Sequence, residues 1–125
     1  MENIMVCVTR QMTCQRLIDF GKQLMGDEGD SLHIIHVAKS DYNFLGNPEE
    51  AKALDFLYEK ARAAGAELTV LKSDDILDTL SELVKQNSIT KVVVGENPDK
   101  SVNNGFLMRM KLKLPPKTEL CIVPA

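Results

Sequence analysis

Near its start the chain carries an uninterrupted apolar run, Ile4-Met5-Val6-Cys7-Val8, with no polar residue at alternate positions. A strand solvated on one face alternates, whereas an unbroken run suits a strand covered on both faces. The same signature returns, with two histidines set into it, in Leu32-His33-Ile34-Ile35-His36-Val37, and again in Val92-Val93-Val94 closed by Gly95. Between these runs the apolar period lengthens. Leu17, Phe20, Leu24 and Met25 recur at helical spacing behind Thr13, a residue type that caps helix starts, and Gly26 or Gly29 ends that helix. Pro48 suits the first turn of a second helix, with Ala51, Leu54, Leu57, Tyr58 and Ala61 on one side and a stop at Gly65. Asp74 or Asp75 caps a third, whose Ile76, Leu77, Leu80, Leu83 and Val84 face inward. Glu67 to Lys72 and Leu120 to Val123 read as two further strands. Leu107 to Leu114 alternates apolar and basic residues, yet Leu107, Met110 and Leu114 also share a helix face, and the architecture assigns it as helix. Pro115-Pro116 ends it.

The resulting order, β-α-β-α-β-α-β-α-β with crossovers of helical length, predicts an α/β protein built on a single doubly wound parallel five-stranded sheet. At 125 residues the span 1–125 reads as one domain, large enough for a substantial core. Ligands of such sheets bind outside the carboxyl ends of the strands, where the strand order reverses. Three stretches therefore matter: Thr9 to Thr13 after the first strand, Val37 to Ser40 after the second, and Gly95 to Asn104 after the fourth.

Composition narrows the functional classes. Hydrophobic content of 44% with 26% charged residues is that of a globular protein, and a net charge of −3 carries no electrostatic footprint for nucleic acid or an anionic membrane. Arg109, Lys111, Lys113 and Lys117 cluster, and such a cluster on one terminal helix reads as a solvated face. No apolar run approaches the roughly 20 residues of a membrane span, so no membrane insertion is expected. Met1-Glu2-Asn3-Ile4 has an acid where a secretory signal has bases, and the chain reads as cytoplasmic. Three cysteines, Cys7, Cys14 and Cys121, fit neither a disulfide framework nor a zinc site.

Candidate chemistry is sparse. Thr9-Arg10-Gln11-Met12-Thr13 combines hydroxyls, a guanidinium and a helix start, a setting that favours anions; the simpler reading is that Thr13 caps the helix and Arg10 is solvated. Cys14 sits at the same helix start, where the dipole can lower a thiol pKa, but no histidine accompanies it in the sequence. Cys7 and Cys121, within strands, read as small core residues. His33 and His36 point to opposite faces of their strand and cannot share a metal. Asp74-Asp75 reads as a capping pair, because Thr9-Arg10 stand where a phosphorylated receiver domain would need its acids. The serine elbow, the Walker loop and the dinucleotide glycine pattern are absent, so no catalytic residue and no metal ligand is assigned.

Ile4 to Thr9, Leu32 to Val37 with His36 before Val37, and the helix from Asp75 running into Lys91-Val-Val-Val-Gly95 together resemble the universal stress protein family. The likeness spans nearly the whole chain. Ile4-Met-Val-Cys-Val-Thr-Arg and Cys14-Gln-Arg-Leu-Ile18 are most similar to the stress-protein-like domain of potassium-sensing histidine kinases. The resemblance implies an adenine nucleotide alpha-hydrolase-like fold with sheet order 3-2-1-4-5, and a homodimer joined along the C-terminal strand. ATP-binding members carry glycine, two residues, glycine, nine residues, then glycine and Ser or Thr. Gly95 matches the first glycine; the second falls on Pro98 and the last pair on Met108 and Arg109. Gly105 could stand in only with a shorter loop, and Phe106 would then replace the hydroxyl. Glycines let backbone N–H groups approach phosphate oxygens, whereas proline has no N–H to offer. Thr9 also stands where ATP-binding members usually have an aspartate.

The expected function is a non-enzymatic regulatory module that does not bind ATP conventionally and has no obligate cofactor. It acts through dimerisation and a small ligand, or a protein partner in a signalling pathway. Thr9, Arg10, Val37, Gly95, Asn97 and Arg109 are the expected ligand contacts. The alternative is a stress protein that binds ATP or AMP with a divergent loop, with Thr9, Val37, Gly95, Asn97 and Arg109 around the nucleotide. An enzyme using Cys14 is a third, weaker reading.

Overall fold

The computed structural model describes residues 2–8, 14–26, 29–38, 48–73, 75–95 and 108–124. Five strands, β1 (Asn3–Cys7), β2 (Ser31–Ala38), β3 (Glu67–Lys72), β4 (Lys91–Gly95) and β5 (Glu119–Val123), form one sheet in the order β3-β2-β1-β4-β5. Every pairing is parallel. Three helices, α1 (Cys14–Leu24), α2 (Pro48–Ala63) and α3 (Ile76–Gln86), connect them, and a helical segment over 108–113 precedes β5. The predicted elements are all present, and the ambiguous stretch before Pro115 is helical over 108–113.

Period-two alternation divides the strands between two cores. Ile4 and Val6 of β1, with Val8 just after it, join Leu32, Ile34 and Val93 under α1 and α2, through Leu17, Ile18, Leu57 and Ala61. Met5, Cys7, Ile35, Val92 and Val94 face the other way, under Leu80 and Val84 of α3 and Met110 of the 108–113 segment. This two-sided cover explains why β1 and β4 read as continuous apolar runs. An Asp78–Lys113 ion pair ties α3 to the 108–113 segment; both groups are exposed. That hydrogen bond lowers the Asp78 pKa and raises that of Lys113.

Local chemistry ends the helices as the sequence suggests. Gly65 adopts φ +70°, with its N–H on Arg62 O and the Ala66 N–H on Ala61 O, so α2 ends in a Schellman motif. Asp75 caps α3 by accepting from the Asp78 N–H at 3.0 Å. Asp74 and Thr13, the other expected caps, lie outside the described residues.

Gly21 was not singled out by the apolar pattern, yet it decides how α1 seats. A Cβ at Gly21 would lie 2.6 Å from Val6 Cγ2 and 3.1 Å from Leu32 Cδ1. Val6 is fully buried and β-branched, so it has little freedom to withdraw. Gly21→Ala is therefore expected to destabilise the fold by up to about 2 kcal/mol in urea unfolding. The overpacking cost, about 1–3 kcal/mol, outweighs the better helix propensity of alanine, about 1 kcal/mol. An unchanged or raised midpoint would show that α1 does not approach β1 this closely.

Candidate functional site

The strand order reverses between β1 and β4, which are neighbours in the sheet. The crevice at their carboxyl ends is where an open α/β sheet takes its ligand. Its described floor consists of Val8 after β1, the end of β2, and Gly95 ending β4. Val8 is tied down at both backbone groups. Its N–H donates to Ile35 O at 2.9 Å, and its carbonyl lies 2.8 Å from His36 Nδ1. A carbonyl only accepts, so the buried His36 ring carries its proton on Nδ1 and acts as a clamp on the end of β1.

Gly95 faces α1. A Cβ there would meet Leu17 Cδ2 at 3.2 Å, Leu17 Cδ1 at 3.4 Å and Arg16 Nη2 at 3.6 Å. The glycine thus gives Leu17 room at the end of β4, with the Arg16 guanidinium beside it at ordinary contact distance. Arg16 itself is exposed. Its role was not legible in the apolar pattern, although parallel βα topology brings the first turn of α1 toward the end of β4.

The expected contacts are brought together only in part. Gly95 ends β4 at the crevice, and Val37 lies in β2, two strands away across β1. Arg109 belongs to the 108–113 segment, whose Met110 packs in the core on the opposite face of the sheet from α1; Arg109 is exposed. Thr9, Arg10 and Asn97 lie outside the described residues, as do Pro98, Gly105, Phe106 and the 39–47 stretch. Lys111 and Lys113 are exposed, as expected of a solvated face, with Lys113 engaged by Asp78.

His33 and His36 serve different partners. Asn3 donates its amide to Ser88 O, so its Oδ1 accepts the Ser31 hydroxyl proton at 2.8 Å. Ser31 Oγ then accepts from His33 Nε2 at 3.1 Å, while His33 Nδ1 faces Glu67 Oε2 at 3.7 Å. Among the described residues, no group of three His, Cys, Asp or Glu side chains could hold a metal. No described helix is long and apolar enough to cross a membrane. Cys7 is buried beneath α3 and the 108–113 segment, and burial pushes its thiol up to about 12, which keeps it protonated and inert at neutral pH. Desolvation and, secondarily, Glu119 raise the pKa of Cys121. Cys14 begins α1, and its side chain lies outside the described set.

No family model and no curated protein matches the chain. Solved structures do match. The fold is that of the universal stress proteins. The structure of a universal stress protein from Archaeoglobus fulgidus superposes with a TM-score of 0.70 at 18% identity, covering 97% of this chain and 93% of that one. A universal stress protein in complex with cAMP has a TM-score of 0.66 at 20% identity, over 98% of this chain and 96% of its own. A family member from Arabidopsis thaliana with AMP bound follows at 0.60 and 18%, over 99% and 92%. The Archaeoglobus protein has also been solved with dAMP, with a TM-score of 0.65 at 18% identity, over 97% of each chain.

The raised Cys7 pKa sets a stability trend. Above its ordinary value of 9.0 the unfolded chain releases the thiol proton, while the folded protein holds it until about 12. Folding stability should therefore fall as pH rises through this window, by about 1.4 kcal/mol per pH unit from this one group. Urea unfolding of Cys7→Ala beside wild type isolates the effect: the variant should show the shallower alkaline decline. Equal slopes in the two proteins would contradict the burial of this thiol.

Proposed function

We propose that residues 1–125 form one non-catalytic regulatory module that binds an adenine nucleotide carrying a single phosphate group at the β1–β4 crevice. Thr9, Arg10, Val37, Gly95, Asn97 and Arg109 are its proposed contacts. The supporting observation is the whole-chain match to structures solved with cAMP, dAMP and AMP, combined with a strand-order reversal at the matching edge. Pro98, which has no N–H, and Met108, whose side chain stands where a glycine would let the backbone come close, argue for a monophosphate over ATP, because a triphosphate needs a row of closely approaching backbone donors.

A second element of the proposal is self-association through β5. It is an edge strand, and an edge strand presents backbone donors and acceptors along one side. Ile122 is 42% exposed there, an apolar side chain suited to a self-complementary pairing.

Two measurements test these statements. AMP at about 100 times its dissociation constant should raise the melting temperature on the order of 10 °C, with ATP weaker at equal concentration. Absence of any shift with millimolar AMP would refute the nucleotide reading. In sedimentation across the micromolar range, wild type should be dimeric and Ile122→Lys monomeric with an intact fold; a monomeric wild type would rule out the pairing.

A further inference from the structure

We propose that Arg16 reads the phosphate of the bound nucleotide, a role that rests on the nucleotide reading above and gives that site its anion specificity. Arg16 lies in the first turn of α1, and its Nη2 sits 3.6 Å from the position a Cβ at Gly95 would occupy. A guanidinium therefore lies over the end of β4, at the point where the strand order reverses. It is exposed and has no carboxylate partner among the described residues. The only acid of its own helix, Asp19, is engaged by Gln15 Nε2 at 2.7 Å. A planar fork of N–H donors is thus presented to the crevice with no described carboxylate neutralising it.

Such a fork matches two oxygens of one phosphate group, and charge-assisted pairs of this kind are stronger than bonds from neutral donors. It also compensates for a loop in which Pro98 has no N–H to give. The other expected cation, Arg109, belongs to the opposite layer and sits close enough to Lys113 to disfavour that ammonium's charge. Gly95 then has a different purpose from that of a phosphate-loop glycine: it leaves room for Leu17, whose seating holds the first turn of α1, and Arg16 with it, over the end of β4. The recognised chemistry is an adenine nucleotide monophosphate, with the nucleoside bound by the crevice and the phosphate by the side chain of α1.

Isothermal titration with AMP and with adenosine separates the two parts. Wild type should prefer AMP. Arg16→Gln should weaken AMP binding about 10- to 100-fold and leave adenosine within about twofold, removing the preference. Arg16→Lys, which keeps charge but loses the fork, should fall between them. Because Arg16 is exposed, the melting temperature of the ligand-free variants should match wild type. Arg109→Gln should change AMP affinity less than Arg16→Gln. If Arg16→Gln binds AMP as wild type does, this inference is overturned while the nucleotide reading stands. If wild type binds no AMP, both fall together.

Discussion

The approach of α1 to the sheet is the constraint on which the rest depends. With no side chain at position 21, the helix backbone comes down onto Val6 of the central strand β1 and Leu32 of its neighbour β2. That seating buries Leu17 and Ile18, and Leu17 in turn reaches Gly95 at the far edge. One missing methyl therefore sets the height of α1 over the sheet. The height decides whether the first turn of the helix, and Arg16 with it, meets the end of β4.

Packing and site geometry are joined a second way through His36. Its Nδ1–H satisfies the Val8 carbonyl, which would otherwise end β1 as a buried acceptor without a partner. The clamp comes from β2, while the Val8 N–H reaches back to Ile35 of the same strand. One strand, β2, thus holds both backbone groups of the residue that follows β1 where the chain leaves the sheet, which fixes the floor of the crevice.

Much of this architecture was legible beforehand. Continuous apolar runs marked β1 and β4 because a sheet covered on both sides has no solvent face to encode. Gly65 and Asp75 marked helix ends because their backbone and side-chain chemistry suits few other positions. Gly21 and Arg16 were not legible. A glycine inside a helix carries no periodic signal of its own, and its close contact exists only after strand and helix are packed. Arg16 looks like an ordinary solvated cation until topology brings it to Gly95, eighty residues away along the chain. Gly95 matches the first glycine of a phosphate loop, and its packing against Leu17 supplies a reason for the glycine that a motif cannot distinguish.

A sheet in which every strand runs the same way has two chemically different rims. At the starting rim, Glu2, Asp30 and Thr90 are interlocked: the Glu2 N–H donates to Asp30 Oδ1 at 2.7 Å and the Thr90 hydroxyl to Glu2 Oε2 at 2.5 Å. Thr118 adds a bond to Ile89 O at 3.0 Å, drawing the last strand into the same border. The finishing rim carries the crevice and its cation. Sequence drift on the two rims should therefore have separate consequences: exchanges on the first change the stability of the fold, and exchanges on the second change what the proposed crevice accepts. A lineage could reshape its crevice while leaving the opposite border, and with it the stability of the fold, untouched.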